Sequence, residues 1–443
     1  MGPARGQEAT RQVEIACLDE LVPEDDLYRR IDGLADWGFV REAAAPYYAD
    51  VLGRPSVDPI VLVKLMLAGA LEGIGSMREL LRVAALRLDL RRFLGYGLGG
   101  RLPAHQTVSE AHSRRFIDAQ LFERAFLRSV SLCCEHDLIE GTHLSVDGFH
   151  AEADAALKSL RASLALVPVS EPDGGEPPAA VPAPPSAPPQ LSLAEPRSGP
   201  MPRRKSSNAT SVSRTDPDAK LRGKPGQRPH LVHRGQVGVD AKARCIVACL
   251  GEGADGYEGD GLAPILDRAR FACPELASVG ADQGYAAERI WKDARRRRLV
   301  AYIPPQRTML PPTDREPRTG AEREALAARR RCKSNAGIWA HQRRMADAEG
   351  VISELKLQHA LGRARCRGTP LFHVQLLLGC TAINLKRLAK HAPEAANGAA
   401  AALAAESAAP ATAVTAQPAP GSTGPAPPRS VPTAQWTVVI CLN

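Results

Sequence analysis

Apolar positions recur with a helical period up to about residue 140, and the pattern shortens to that of strands from His143 onward. In the first stretch, Ser56 and Asp58 precede an apolar run that predicts a helix over Pro59–Leu71. Ser76-Met77-Arg78-Glu79 reads as a capping box, and Leu80, Leu81, Ala84, Ala85 and Leu88 follow at helical spacing. Thr107-Val108-Ser109-Glu110 reads as a second box, opening a helix that carries Arg114 and Arg115. A glycine-rich turn, Gly95 to Gly100, lies between the two.

At His143-Leu144-Ser145-Val146-Asp147 the pattern becomes that of a strand. Leu231–Val239 and Cys245–Leu250 then predict a hairpin around Asp240-Ala241-Lys242, Gly261–Phe271 a helix, and Leu276–Asp282 a buried strand. Ala286–Arg298 predicts a helix ending in four arginines, where positive charge suits the helix C-terminus. Leu299–Ile303 predicts a strand stopped by Pro304-Pro305, and Ile338–His359 and Leu371–Leu388 predict two further helices. Strand, hairpin, helix, strand, helix, strand, long helix is the order of a ribonuclease-H-like mixed sheet with flanking helices, preceded here by a helical domain. In that arrangement the first strand lies beside and parallel to the fourth, so Asp147 and Asp282 become neighbours although 135 residues apart in sequence (282 − 147).

Composition divides the chain further. Between Pro168 and Pro202, 35 residues hold 12 of the 37 prolines, so this stretch has no means of packing a core and reads as a disordered linker. Beyond Lys390 the residues turn to Ala, Pro, Ser and Thr. The predicted organisation is therefore a helical domain over 1–140, a ribonuclease-H-like α/β domain over 141–391 interrupted by a linker over 164–209, and a disordered tail over 392–443. The N-terminus lacks the apolar segment of a signal peptide, and the run from Pro59 to Ala70 is too short to span a bilayer. The ten cysteines include no CxxC pair, which argues against a zinc site and suits reduced thiols in the cytoplasm.

The net charge of +8 favours a polyanionic partner. The two capped helices around the glycine turn then admit two readings, a DNA-reading helix pair or an ordinary bundle with a basic face. The basic stretch from Arg203 to Arg234 likewise reads either as a solvated linker or as a segment that orders along a phosphate backbone.

Three carboxylates carry the candidate chemistry. Asp147 and Asp282 each interrupt a short apolar run, and Glu349 sits on a predicted helix. At about 100° per residue, Glu349 and Lys356 differ by about 700°, nearly two full turns, and share a face, whereas Asp347 and Glu354 point elsewhere. Acidic groups on two strands and a helix suit hard divalent cations, and such sites run phosphoryl transfer. Other acids read as structural: Asp240 at a hairpin turn, Asp260 as an N-cap, Asp216 and Asp218 in a polar loop. His143 and His150 flank the first strand as lone histidines, and Tyr285 reads as packing at the start of its helix.

These segments together resemble the DDE transposases of bacterial insertion sequences. Gly53-Arg54-Pro55-Ser56-Val57-Asp58-Pro59, Leu71-Glu72-Gly73-Ile74-Gly75-Ser76-Met77-Arg78-Glu79-Leu80, Phe93-Leu94-Gly95-Tyr96 and Leu102-Pro103-Ala104-His105-Gln106-Thr107 are similar to the family's N-terminal domain. Val146-Asp147-Gly148 and Ala281-Asp282-Gln283-Gly284-Tyr285 are similar to its two aspartate motifs. Glu349 with Lys356 is similar to its glutamate-lysine signature. Thr215-Asp216-Pro217-Asp218-Ala219 and Arg363-Ala364-Arg365-Cys366-Arg367-Gly368 are also family-like. The likeness covers about residues 12–160 and 211–390.

The resemblance implies that Asp147, Asp282 and Glu349 are the catalytic, metal-binding residues. It implies two divalent metal ions, Mg2+ first with Mn2+ as a substitute. The expected DNA contacts are Lys356, Arg363, Arg365, Arg367, Arg114 and Arg115. The implied partners are terminal inverted repeats, target DNA and further copies of the chain in a synaptic complex, in the cytoplasm and at the nucleoid when DNA-bound. One departure stands out: the family often has an arginine four positions before the glutamate, where this chain has Met345 preceded by Arg343 and Arg344. Two other functions compete with an active transposase: a catalytically decayed DNA-binding descendant, and a nuclease of RNA hybrids.

Overall fold

The computed structural model describes residues 16–48, 56–111, 120–162, 207–223, 228–313 and 315–391. The expected linker between Pro168 and Pro202, the tail, and Arg114 and Arg115 lie outside the described residues. The run from Pro59 to Leu71 is a helix that starts where the sequence places it. Asp58 accepts the Ile60 N–H at 2.9 Å, and Pro59 occupies the first helical position, where no N–H is needed. Ser76 caps the helix Met77–Leu86 by accepting from the Glu79 N–H at 3.4 Å. The reciprocal half of that box is not formed, because the Glu79 carboxylate turns to Arg82. The second box is a correction. The helix begins at His105, after the extended residue Ala104, so Thr107 lies inside it and caps nothing.

Among the described residues eight strands follow: β1 (His143–Glu152), β2 (Leu160–Ala162), β3 (Ser211–Ser213), β4 (Lys220–Arg222), β5 (His230–Asp240), β6 (Ile246–Gly253), β7 (Ser278–Gly280) and β8 (Val300–Tyr302). β2 and β3 pair only with each other. In the main sheet, β1, β5 and β6 form an antiparallel meander and β4 pairs with the start of β5. On the other side of β1, β7 and β8 run parallel to it. The order β6-β5-β1-β7-β8 is the mixed ribonuclease-H-like order expected from the sequence. Asp240 ties the meander to the entry of β1: its carboxylate accepts from the Glu140, Gly141 and Lys242 N–H groups at 2.8–3.0 Å.

Helices cover both faces, as a sheet buried on two sides requires. Leu144 and Val146 of β1 pack with the helices Leu262–Ala269, Glu288–Arg296 and Gly320–Lys333. Phe149 and Ala151 join the opposite core, which is shared with the N-terminal helices and with the helix Thr369–His391. That last helix lies along β6 and against the helices Pro59–Leu71 and Leu121–Glu135. Asn384, fully buried on it, accepts the Ile246 N–H at 2.8 Å and donates to the Ile246 carbonyl at 2.9 Å. A side-chain amide thus satisfies a strand edge that would otherwise be buried unpaired.

Three further departures concern helices. Gly320–Lys333 was not expected, although Thr319-Gly320-Ala321-Glu322 carries a full capping box that opens it. Asp260 caps no helix, since Gly261 holds that position and Asp260 pairs with Arg289. The helix expected over Ile338–His359 is three pieces: α-helix Asn335–Arg344, a π-turn Met345–Glu349, and α-helix Gly350–Gln358.

Candidate active site

The β1–β7 ladder sets the two aspartates in step. Ser145 pairs with Gly280, and Asp147 and Asp282 each stand two residues further along their own chain segment. Asp147 is nearly buried on β1, whereas Asp282 begins a short turn in which its Oδ1 accepts the Gly284 N–H at 2.8 Å. The π-turn brings Glu349 over the same place. Arg344 joins the groups: its Nη1 donates to Asp147 Oδ2 at 2.6 Å, and its Nη2 lies 2.9 Å from Glu349 Oε1. One guanidinium therefore bridges carboxylates from a strand and a helix, the arginine and the aspartate being 197 residues apart in sequence.

The π-turn explains the arginine that the sequence left unplaced. An α-helix puts residues four apart on one face, whereas a π-turn does so for residues five apart. Arg344 is five positions before Glu349 and meets it because Met345–Glu349 is π-helical. Met345, in the expected position, is exposed.

Burial pushes Asp147 up to about 6, and the charges of Asp282 and Glu349 push the same way, against the Arg344 guanidinium. A fourth carboxylate belongs to this group. Glu258, on a turn after β6, is raised by burial and by Asp282 and Asp147. A Cβ added at Gly148 would collide with Glu258 Oε1, and one at Gly284 would come within 2.7 Å of Oε2. The glycines beside the two aspartates thus leave the room that Glu258 fills. Nothing in the sequence singled out Glu258, because only the fold brings its turn to the strand ends. Tyr285 is fully buried and donates to Gln236 Oε1 at 3.0 Å, and Gln236 Nε2 donates to the Glu258 carbonyl at 3.0 Å.

Lys356 lies on the helix that follows Glu349, its Nζ 5.4 Å from the centre of the Phe149 ring. Burial lowers its pKa and Asp147 raises it, which puts the amine within electrostatic reach of the acidic group. Beside the site, a hollow of about 370 Å³ is lined by His150, Arg222, Arg234, Tyr257 and Glu258. Burial pushes His150 down to about 4, helped by Arg234, Arg222 and Lys356.

Arg363 and Arg367 stand apart from this cluster, exposed at the far end of β1, each beside Asp154 at 3.8 and 3.4 Å. Arg365 packs over Gly75 of the N-terminal region. Asp216 is buried against His233 at 2.8 Å, and with Asp218 it accepts from the Gly368 and Thr369 N–H groups. The two family-like segments 215–219 and 363–368 are therefore mutual packing partners at the start of the last helix. Glu354 pairs with Arg387 and Lys386 on that helix, and Asp347 with Arg343.

Comparison with known families decides the identity. The family described as Transposase domain (DUF772) matches residues 16–114, and the family described as Transposase DDE domain matches residues 313–389. The chain is a DDE-type transposase. Its second matched segment contains Arg344, Glu349 and Lys356, and the first covers the helices that pack on the last helix of the fold. No curated protein matches the transposase. Among solved structures, a piggyBac transposase synaptic complex with hairpin DNA matches at 8% identity and a TM-score of 0.34, over 87% of this chain and 82% of that one. No helix among the described residues is long and apolar enough to cross a membrane.

Proposed function

We propose that this transposase binds the terminal inverted repeats of its own element, cuts the DNA strand there and joins it to a target, with Asp147, Asp282 and Glu349 as its catalytic carboxylates. The observation that carries the reading is the Arg344 bridge, which sets Asp147 and Glu349 on one guanidinium while the β1–β7 register sets Asp282 alongside.

The donor set fits divalent cations by its charge. Burial raises Asp147 and Glu258, and neighbouring carboxylates push both the same way; Asp147, Asp282, Glu349 and Glu258 together carry more negative charge than Arg344 alone neutralises. Among the described residues, no three His, Cys, Asp or Glu side chains stand close enough to grip one ion together. Asp147, Asp282 and Glu349 would hold the ions, Mg2+ or Mn2+, once their side chains close around them. Bound there, the ions would supply Lewis-acid stabilisation of the charge that develops on a phosphodiester in in-line displacement.

The protein's own groups bind and orient the DNA. Lys356, on the Glu349 helix, contacts a phosphate next to the scissile one. Arg363, Arg365 and Arg367 hold the backbone further along the strand, and Arg114 and Arg115 help to choose the DNA end. Water and a DNA 3′-hydroxyl are alternative nucleophiles for the same displacement, so one site serves cutting and joining. At least two copies of the chain are needed to pair two element ends.

Asp147→Asn keeps the shape and removes the charge. The expected outcome is loss of Mn2+-dependent cleavage of inverted-repeat DNA with DNA binding retained in a gel-shift assay. Near-normal cleavage by that variant overturns the assignment.

A further inference from the structure

The Arg344 side chain is 9% exposed, and its fork holds one oxygen of Asp147 and one of Glu349. A cation that is to join these two oxygens meets a guanidinium already donating to both. The same arginine lines a cavity of about 290 Å³ formed by Gly280, Ala281, Tyr302, Pro304 and Gly337 among others. At about 30 Å³ per water, this space takes a guanidinium with several waters. Arg344 therefore has somewhere to go without unfolding of the helix that bears it.

We propose that Arg344 is a displaceable counter-ion: it holds Asp147 and Glu349 in position before metal binds, and it competes with the metal for them. The inference rests on the reading of Asp147 and Glu349 as metal-holding groups. Arg344 is a positioning residue, acting through the carboxylates it pairs. Removing its charge leaves the carboxylates to repel one another in the metal-free protein and lowers the cost of inserting a cation.

The test is calorimetric titration of the full chain with Mn2+ in the absence of DNA, for the wild type, Arg344→Gln, Arg344→Lys and Asp147→Asn. Arg344→Gln is expected to bind Mn2+ at least about tenfold more tightly than the wild type, equivalent to about 1.4 kcal/mol. Arg344→Lys keeps the charge without the fork and falls between them. Asp147→Asn binds more weakly. Arg344→Gln should also unfold at a lower temperature in EDTA and recover with saturating Mn2+. A merely structural arginine would not tighten metal binding when removed. Unchanged or weaker binding by Arg344→Gln, with Asp147→Asn weakened, overturns the counter-ion and leaves the metal site standing. Wild-type binding by Asp147→Asn overturns the metal site and the counter-ion with it. If Arg344→Gln does not fold, Arg344→Lys decides: tighter binding supports the proposal, and equal or weaker binding overturns it.

Discussion

Asp147 ties the stability of the metal-free transposase to pH in a direction opposite to that of most carboxylates. Its pKa lies at about 6, against an ordinary 3.8, because burial and the neighbouring Asp282 and Glu349 disfavour its charge more than Arg344 favours it. Well below pH 3.8 the carboxyl is protonated both folded and unfolded, and it exacts no cost. As pH rises toward 6 the unfolded chain ionises freely while the folded one resists, so stability falls, and the loss is complete above the folded pKa. A displacement of about two pH units corresponds to about 3 kcal/mol, of which about 2–3 kcal/mol develops between about pH 4 and 7.5. Asp147→Asn is nearly isosteric and cannot ionise. Urea unfolding in EDTA should show it close to the wild type at about pH 4 and about 2–3 kcal/mol more stable at about pH 7.5. Mn2+ should reverse the order at a thousand times its dissociation constant, adding about 4.1 kcal/mol to the wild type and little to the variant. A stability gap that stays flat across that pH range in EDTA would refute the reasoning.

Other consequences are as direct. The π-turn absorbs one extra residue locally, so excising Ala346 should leave the flanking helices in phase, with stability within about 1 kcal/mol and cleavage retained. Excising buried Ala340 from the regular helix should abolish both, and equal damage from the two excisions, seen by circular dichroism and cleavage, would count against the idea. Asn384→Ala strands the buried Ile246 N–H and should cost about 2–3 kcal/mol in chemical unfolding; a loss near zero would mean that the helix does not hold the β6 edge. If about 6–10 phosphates are contacted, affinity for DNA should drop by roughly 10³–10⁵ between about 50 and 200 mM salt. Arg114→Ala with Arg115→Ala should reduce preference for the inverted repeat over random DNA, whereas Lys356→Ala should keep that preference and reduce cleavage. An arginine pair that alters neither affinity nor preference would place end recognition elsewhere.

The sequence by itself determined the local structure and much of the topology. Asp58-Pro59 and Ser76 start helices through contacts within four residues, and the change from helical to strand period at His143 marks the start of β1. Asp147, Asp282 and Glu349 were legible as candidates because short motifs surround each. The strand order expected from the sequence makes the two aspartates neighbours, and the β1–β7 register places them side by side. Tertiary structure decided what depends on distant segments meeting. Thr107 has the spacing of a cap, yet the chain enters that helix three residues earlier, with Ala104 in the cap position. A π-turn leaves no mark on apolar periodicity, so whether Arg343, Arg344 or neither faces Glu349 was settled only by the packing of Asn335–Arg344 against β1 and β7. Glu258 has no motif, and only the return of β6 beside β5 delivers its carboxylate to Gly148 and Gly284. Local signals report the energetics of contacts within a turn or two, whereas the charge balance at Asp147 is set by groups 111 to 202 residues away (258 − 147 and 349 − 147), whose meeting is a property of the whole folded chain.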